Sequence, residues 1–92
     1  NGKLFTLERM AYRICRRTPD TGAIERCWSF ANDALTDARR YNTGYGNSEA
    51  LSLDAKGAWV GVDNGNHARA DGEKRPVVWR FAAPQGGWSA KP

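Results

Sequence analysis

The 92-residue chain is poor in the residues that carry metal and redox chemistry: it has two cysteines, one histidine and one methionine. So few thiol and imidazole groups exclude a disulfide-dense miniprotein and a zinc site with the usual four-ligand spacing. No apolar run approaches the roughly 18 residues that a membrane span requires. A Gly-x-Ser-x-Gly elbow and a glycine-rich phosphate loop are also missing, so neither a serine hydrolase nor a nucleotide-binding loop is indicated.

The charge is modest and well mixed. Fourteen Lys and Arg residues against ten Asp and Glu residues give a formal net charge of +4. Acidic residues such as Glu8, Asp20 and Glu25 lie among the arginines, and no basic stripe alternates with aromatic residues. We therefore expect no nucleic-acid partner. Four Trp, three Tyr and three Phe residues need burial, which excludes a disordered chain.

Alternation with period two dominates the chain and predicts an all-β fold of antiparallel meanders. We expect one unit over residues 1–92, with a first meander at 1–30, a connector at 31–47, a second meander at 48–84 and an irregular tail at 85–92. The only candidate helix is 32–40. Trp28, Trp59 and Trp79 lie in the middle of predicted strands and are expected in the core.

The first meander contains a hairpin that the residues define well. Pro19-Asp20-Thr21-Gly22 is a turn sequence. Folding the chain about Thr21 places four chemically sensible pairs opposite each other: Tyr12 and Phe30, Ile14 and Trp28, Cys15 and Cys27, and Arg17 and Glu25.

This pairing predicts a cross-strand disulfide between Cys15 and Cys27. A disulfide implies an oxidising compartment, so the protein is expected to be periplasmic or secreted. The alternative is two reduced thiols at the surface. A catalytic cysteine is disfavoured, because the sequence offers His67 alone as a base.

Four short motifs occur over residues 2–83, in the same order as in one known protein family. They are Leu7-Glu8-Arg9, then Asn47-Ser48-Glu49-Ala50-Leu51, then the turn from Asp54 to Gly57, and finally Asp63-Asn64 before a closing strand. The pattern resembles the C-terminal portion of the "esterase-like activity of phytase" family, the phytase-like β-propellers. Ala50 stands where that family usually has glycine.

The resemblance implies about two blades of a β-propeller, because a blade takes roughly 40–50 residues. Closing a propeller takes about four or more blades. The expected partners are therefore the remaining blades, from the same precursor or a separate chain. The chain would belong to an exported ester or phosphate-ester hydrolase or ligand-binding protein and would be inactive alone. The alternatives are a non-catalytic β-module that binds a partner chain or scaffolds a complex, and an unrelated small β-domain.

Three residues are candidate ligands for calcium. The resemblance places Glu49 toward the axial end of the propeller, where metal or substrate could bind. Asp63 and Asn64 end a predicted strand and carry hard oxygen atoms that suit calcium. The alternatives are that Glu49 binds loop N–H groups as a structural carboxylate, and that Asp63 and Asn64 only form a turn.

Basic residues near these carboxylates are candidates for binding the ligand itself. Arg9 ends the first predicted strand and could bind a phosphate through two parallel hydrogen bonds. His67 and Arg69 lie in a long polar loop, and a basic loop beside acidic strand ends would suit a phosphate ester bridged by calcium. The alternatives are an intrachain ion pair for Arg9 and simple solvation for the loop residues.

Overall fold

Two antiparallel three-stranded sheets make up the computed structural model, which describes residues 2–41, 48–63, 68–69, 72 and 75–91. The strands are ordered β1-β2-β3 in the first sheet and β4-β5-β6 in the second. Their bounds are β1 Leu4–Glu8, β2 Arg13–Arg17, β3 Ile24–Ser29, β4 Ser48–Asp54, β5 Gly57–Val62 and β6 Val77–Ala82. The predicted all-β antiparallel fold is therefore confirmed.

Helical structure is confined to two short segments. A 3-10 turn, Arg9–Ala11, joins β1 to β2, and the one-turn helix α1, Ala31–Ala34, follows β3. The helix expected over 32–40 is thus shorter and begins one residue earlier, and turns follow it. Within the described ranges, neither segment has the length and hydrophobicity needed to span a bilayer.

The register of the hairpin agrees with the sequence at its centre. Ile14 pairs with Trp28, and Cys15 pairs with Cys27, to which it is disulfide-bonded. The predicted disulfide is confirmed, and Cys15 is fully buried. These central pairs fix which face of each strand points inward, because a slip of one residue would invert them.

The predicted pairing of Arg17 with Glu25 is wrong, because a bulge shifts the register between Arg16 and Arg17. Arg17 lies opposite Ile24 and donates from Nη2 to Glu8 on the neighbouring strand, at 2.6 Å. Glu25 instead accepts from Arg16 Nε at 2.8 Å. The bulge changes the direction of the Arg17 and Glu25 side chains, and each forms an ion pair with a residue other than the predicted one.

Both sheets contribute to one hydrophobic core. Its buried members are Ile14 of β2, Phe30 and Ala34 around α1, and Ala58 of β5. The rings of Phe30 and Phe81 stack at a centroid distance of 5.3 Å and join the two sheets. Half-buried side chains packed around them complete the core: Phe5, Leu7, Tyr12, Leu51, Leu53, Trp79, Phe81 and Trp88.

Trp59 is the exception among the strand tryptophans, and its predicted place in the core is wrong. It is 42% exposed, while Ala58, Val60 and Val62 on the opposite face of β5 are buried. Alternate side chains of a strand point to opposite faces, so the buried aliphatic residues place Trp59 on the outer face. There it lies under the guanidinium of Arg80, 5.7 Å from the ring centroid.

The turn between β4 and β5 forms where the sequence predicts it. Asp54 Oδ1 accepts hydrogen bonds from the backbone N–H groups of Lys56 and Gly57, both at 2.8 Å. These bonds hold the pKa of Asp54 below its usual value. A side chain at Gly57 would collide with the carbonyl oxygen of Phe81, so this close approach of β5 and β6 needs glycine.

The C-terminal segment is not a strand, yet it holds the two sheets together. Trp88 Nε1 donates to the carbonyl oxygen of Asp54 in the second sheet at 2.8 Å. Its own carbonyl oxygen accepts from Arg16 Nη1 in the first sheet at 2.7 Å. Gly86 and Gly87 adopt positive φ angles of 85° and 74°, which allow the sharp turns that bring Trp88 back.

Two carboxylates of the first sheet are held ionised by basic neighbours. Glu8 accepts from Arg17, Arg13 and Thr6, and these hydrogen bonds lower its pKa from 4.5 to about 2. Glu25 accepts from Lys3 first of all, and its pKa is likewise lowered to about 2. Both groups favour the folded state only while they are ionised.

We expect the protein to lose stability as the pH falls from about 4.5 to about 2. The folded pKa values of Glu8 and Glu25 are depressed, so their contribution is complete above the unfolded value and is lost as pH falls through about 2. Urea unfolding at pH 5, 4, 3 and 2 measures this. Glu8→Gln should flatten the decline, whereas Asp20→Asn in the exposed turn should leave it unchanged. An identical decline in the Glu8→Gln variant would show that protonation of Glu8 does not cause the loss of stability.

Candidate functional site

A shallow cleft opens at one end of the second sheet, where β4 begins, β5 ends and β6 begins. It encloses about 480 Å³, and both Glu49 and Asp63 line it. The antiparallel pairing brings these positions together, because Ser48 lies opposite Val62 and Val62 lies opposite Val77. The walls are otherwise small or apolar: Gly61, Val62, Pro76, Val77 and Val78.

Glu49 occupies an irregular position in the ladder. The register of β4 against β5 shifts between Ser48 and Ala50, so Glu49 is the bulged residue. Bulges turn a side chain away from the regular pleat and are frequent beside functional sites. Glu49 lines the cleft from this irregular position, and Asp63 lines the same cleft.

Arg9 reaches this carboxylate from the first sheet. It begins the 3-10 turn after β1, and its Nη1 donates to Glu49 Oε1 at 2.9 Å. Both side chains are close to half exposed. An exposed ion pair contributes little to stability, about 0–1 kcal/mol. The intrachain ion pair, which was the alternative prediction for Arg9, is therefore present. A ligand could displace it at a small cost in free energy.

The remaining predicted residues do not add to this group. Arg69 forms an isolated antiparallel bridge with Tyr41 and is not among the described residues that line the cleft. Tyr41 is buried, and its hydroxyl donates to the carbonyl oxygen of Arg75 at 3.3 Å. Asn64 and His67 lie outside the described residues, so their predicted roles stay predictions.

The described residues supply only part of a calcium site. Within the described ranges, no three His, Cys, Asp or Glu side chains are grouped closely enough to hold a metal ion. Calcium takes about six to eight oxygen ligands. Glu49 and Asp63 would supply carboxylate oxygens, and water, backbone carbonyls or the ligand itself would have to supply the rest. A role for calcium is therefore a proposal.

Sequence reasoning missed the buried polar cluster around Arg16, which is only 4% exposed. Its guanidinium donates to Glu25 and to the carbonyl oxygen of Trp88, and lies 5.8 Å from the ring centroid of Trp28. One signal was present: Arg16 has the same strand phase as Tyr12 and Ile14, whose side chains point inward. A charged residue on an inward phase requires a polar partner.

Comparison of the chain with protein-family models, with curated proteins and with solved structures finds no match. The fold and the cleft therefore define the class only as a small disulfide-bonded antiparallel β-protein. The resemblance to phytase-like propellers rests on the four sequence motifs.

Proposed function

We propose that this chain is part of an exported phytase-like β-propeller and that it binds a phosphate ester through Arg9, Glu49 and Asp63, with calcium as the bridge. One observation supports the site above all. Glu49 and Asp63 line the same cleft, and Arg9 of the 3-10 turn after β1 contacts Glu49 of β4. Sequence motifs that are far apart in the chain thus meet at one place.

The chemistry follows from the charges. A divalent cation held by Glu49 and Asp63 would compete with Arg9 for the Glu49 carboxylate. The guanidinium of Arg9 could then bind a phosphate oxygen next to the cation, and guanidinium groups suit this task because they donate two parallel N–H groups. All three side chains only bind and orient the ligand. Hydrolysis is proposed only for a propeller completed by its other blades.

The outer face of the second sheet supports the presence of further blades. Trp59 is 42% and Val78 is 66% exposed on this face. Gly61 keeps the face flat between them, since a side chain there would press on Ala50. Arg80 and Asp54 contact Trp59 on this face, so it is apolar only in part. Sheets pack face to face at about 10 Å, and exposed residues such as Trp59 and Val78 can form such contacts. A further antiparallel sheet of the same propeller would cover Trp59 and Val78, and because Val78 also lines the cleft, this sheet would border the ligand site.

The exposure of Trp59 and Val78 also favours a second candidate function, a non-catalytic β-module that binds a partner chain. In that case Trp59 and Val78 would contact the partner, and Glu49 and Arg9 would form no more than a surface ion pair. Calcium-dependent ligand binding separates the two candidates, because only the propeller site requires it.

The site can be tested with the chain alone, because Arg9, Glu49 and Asp63 all belong to it. We expect calorimetric titration with phenyl phosphate to show binding in calcium chloride and none in its absence. Glu49→Gln or Asp63→Asn should weaken binding about tenfold, the usual effect of losing one charge-assisted contact. Asp20→Asn, a loss of charge in the distant turn, should leave it unchanged.

Two results would count against the proposed site. Phenyl phosphate binding of equal strength in calcium and in a chelator would show that no cation bridges the ligand to the carboxylates. An unchanged affinity in Glu49→Gln would show that the ligand lies elsewhere. The complete absence of phenyl phosphate binding in calcium would leave the partner-binding module as the better account.

A further inference from the structure

The cleft that Glu49 and Asp63 line opens on the outer face of the second sheet. Asp63 directly follows Val62, the buried last residue of β5, and so has the opposite phase. Val78 of β6 lies opposite Gly61, which has the phase of Asp63, and is 66% exposed. Alternate side chains of a strand point to opposite faces, so Asp63 and Val78 share the outer face.

Gly61 forms the floor of this cleft. It lies on β5, the central strand of the second sheet, with β4 on one side and β6 on the other. Among the described residues, a Cβ at Gly61 would meet only the Cβ of Ala50 within 4 Å, at 3.2 Å. The space above the glycine is therefore open toward β6. A glycine inside a strand often marks a place where a ligand approaches the backbone closely.

The two sides of the cleft differ in chemistry. Glu49 of β4 and Asp63 after β5 carry the carboxylates. Pro76 and Val78, on the side of β6, present only hydrocarbon, and both are exposed. Covering apolar surface contributes roughly 25 cal/mol per Å². A ligand that fits both sides has a charged group at one end and an apolar group at the other.

The spacing of the strands sets the size of the apolar group. Neighbouring strands lie about 4.8 Å apart, so β4 and β6 are about 10 Å apart across Gly61. The charged group is held on the side of Glu49, where Arg9 Nη1 donates to Glu49 Oε1 at 2.9 Å. An organic group about as long as one aromatic ring is needed to reach Val78 from there.

We infer that this cleft takes phosphate esters of apolar alcohols, aryl or alkyl, in preference to phosphate esters of polyols. The hydrocarbon lies over Gly61 and against Pro76 and Val78, while Arg9 and the carboxylates hold the phosphate end with calcium. This inference rests on the proposed phosphate-ester site and adds the class of alcohol that the ester contains.

The test compares phenyl phosphate with glycerol 2-phosphate, two monoesters that differ in the polarity of the alcohol, by calorimetry in calcium chloride. We expect phenyl phosphate to bind about tenfold more tightly, the effect of removing roughly 55 Å² of apolar surface from water. Val78→Thr should reduce this preference to about threefold and leave the affinity for glycerol 2-phosphate unchanged. Val78 is largely exposed, so the variant should fold normally, which a thermal melt checks.

Ile24→Thr is the matched control. Ile24 begins β3 of the first sheet, is 48% exposed and does not line the cleft, and the change again replaces a β-branched hydrocarbon by threonine. It should leave the preference for phenyl phosphate unchanged. In carbon-13 NMR spectra, the methyl signals of Val78 should shift on adding phenyl phosphate, while those of Ile24 should not.

Failure of this inference and failure of the proposed site give different results. Equal affinity for the two esters in calcium, with both weakened by Glu49→Gln, would support the phosphate site and overturn the apolar preference. A preference that Val78→Thr leaves intact would also overturn the inference, because the hydrocarbon would then lie elsewhere. If neither ester binds in calcium, the proposed site fails and the inference fails with it.

Discussion

Replacing Cys15 and Cys27 together by alanine should lower the free energy of unfolding by about 3 kcal/mol. The disulfide joins the central strand β2 to β3 across a sequence separation of 12. It restricts the unfolded chain, and a small domain has little other stability to spare. Urea unfolding monitored by tryptophan fluorescence measures the change.

The unmodified protein in reductant is the matched control for this variant. It has the same side chains without the covalent bond, so its midpoint should fall close to that of the alanine variant. Equal stability of the oxidised and reduced protein would contradict the structural role of the disulfide. It would also weaken the case for an oxidising compartment, because export is inferred from this bond alone.

Replacing Arg16 by methionine should lower the free energy of unfolding by about 2–3 kcal/mol. The variant lacks a buried charged donor, and its loss leaves a carbonyl and a carboxylate with fewer hydrogen-bond partners. Arg16 Nη1 donates to the carbonyl oxygen of Trp88, and the variant loses this link between the first sheet and the C-terminal segment. We therefore expect a lower urea midpoint. We also expect faster proteolytic removal of the segment around Trp88.

Arg26→Met is a closely matched control. Arg26 also lies over Trp28, at 5.6 Å, and also donates to a backbone carbonyl of the C-terminal segment, that of Lys91. It differs in being more exposed, so its loss should cost less than about 1 kcal/mol. Equal losses in the two variants would contradict the argument that the burial of Arg16 makes its contacts strong.

The centre of the hairpin could be predicted because local chemistry and geometry agree there. Cys15 and Cys27 are equally spaced from a turn with Pro19 and Gly22, and apolar residues occur with period two on both sides. The bulge at Arg16 and Arg17 could not be predicted from the hairpin alone. It depends on Glu8 of a third strand, which competes with Glu25 for Arg17.

Burial was harder to predict than strand position. Period two shows that Trp59 and Val60 face opposite ways, but it does not say which face packs on the other sheet. Hydrophobicity favoured the tryptophan, and the structure buries Val60 completely while Trp59 stays on the outer face with Arg80. The choice is made by packing between sheets, which leaves no periodic signal in one strand.

The residues of the candidate site could be predicted where sequence motifs mark them. The sequence motifs point to Arg9, Glu49 and Asp63. In the structure, Arg9 is hydrogen-bonded to Glu49, and Glu49 and Asp63 line one cleft. The C-terminal segment around Trp88 has no alternation, and Trp88 is held by hydrogen bonds to Asp54 and Arg16, which are distant in the chain.

The central claim is that this chain functions inside a larger β-propeller, and native mass spectrometry of the protein as its cells make it tests that claim most directly. We predict a particle several times the mass of one 92-residue chain, as one longer polypeptide or as a complex, with Trp59 and Val78 protected from solvent. A lone chain of this length that melts in one sharp transition, with Trp59 exposed, would contradict it.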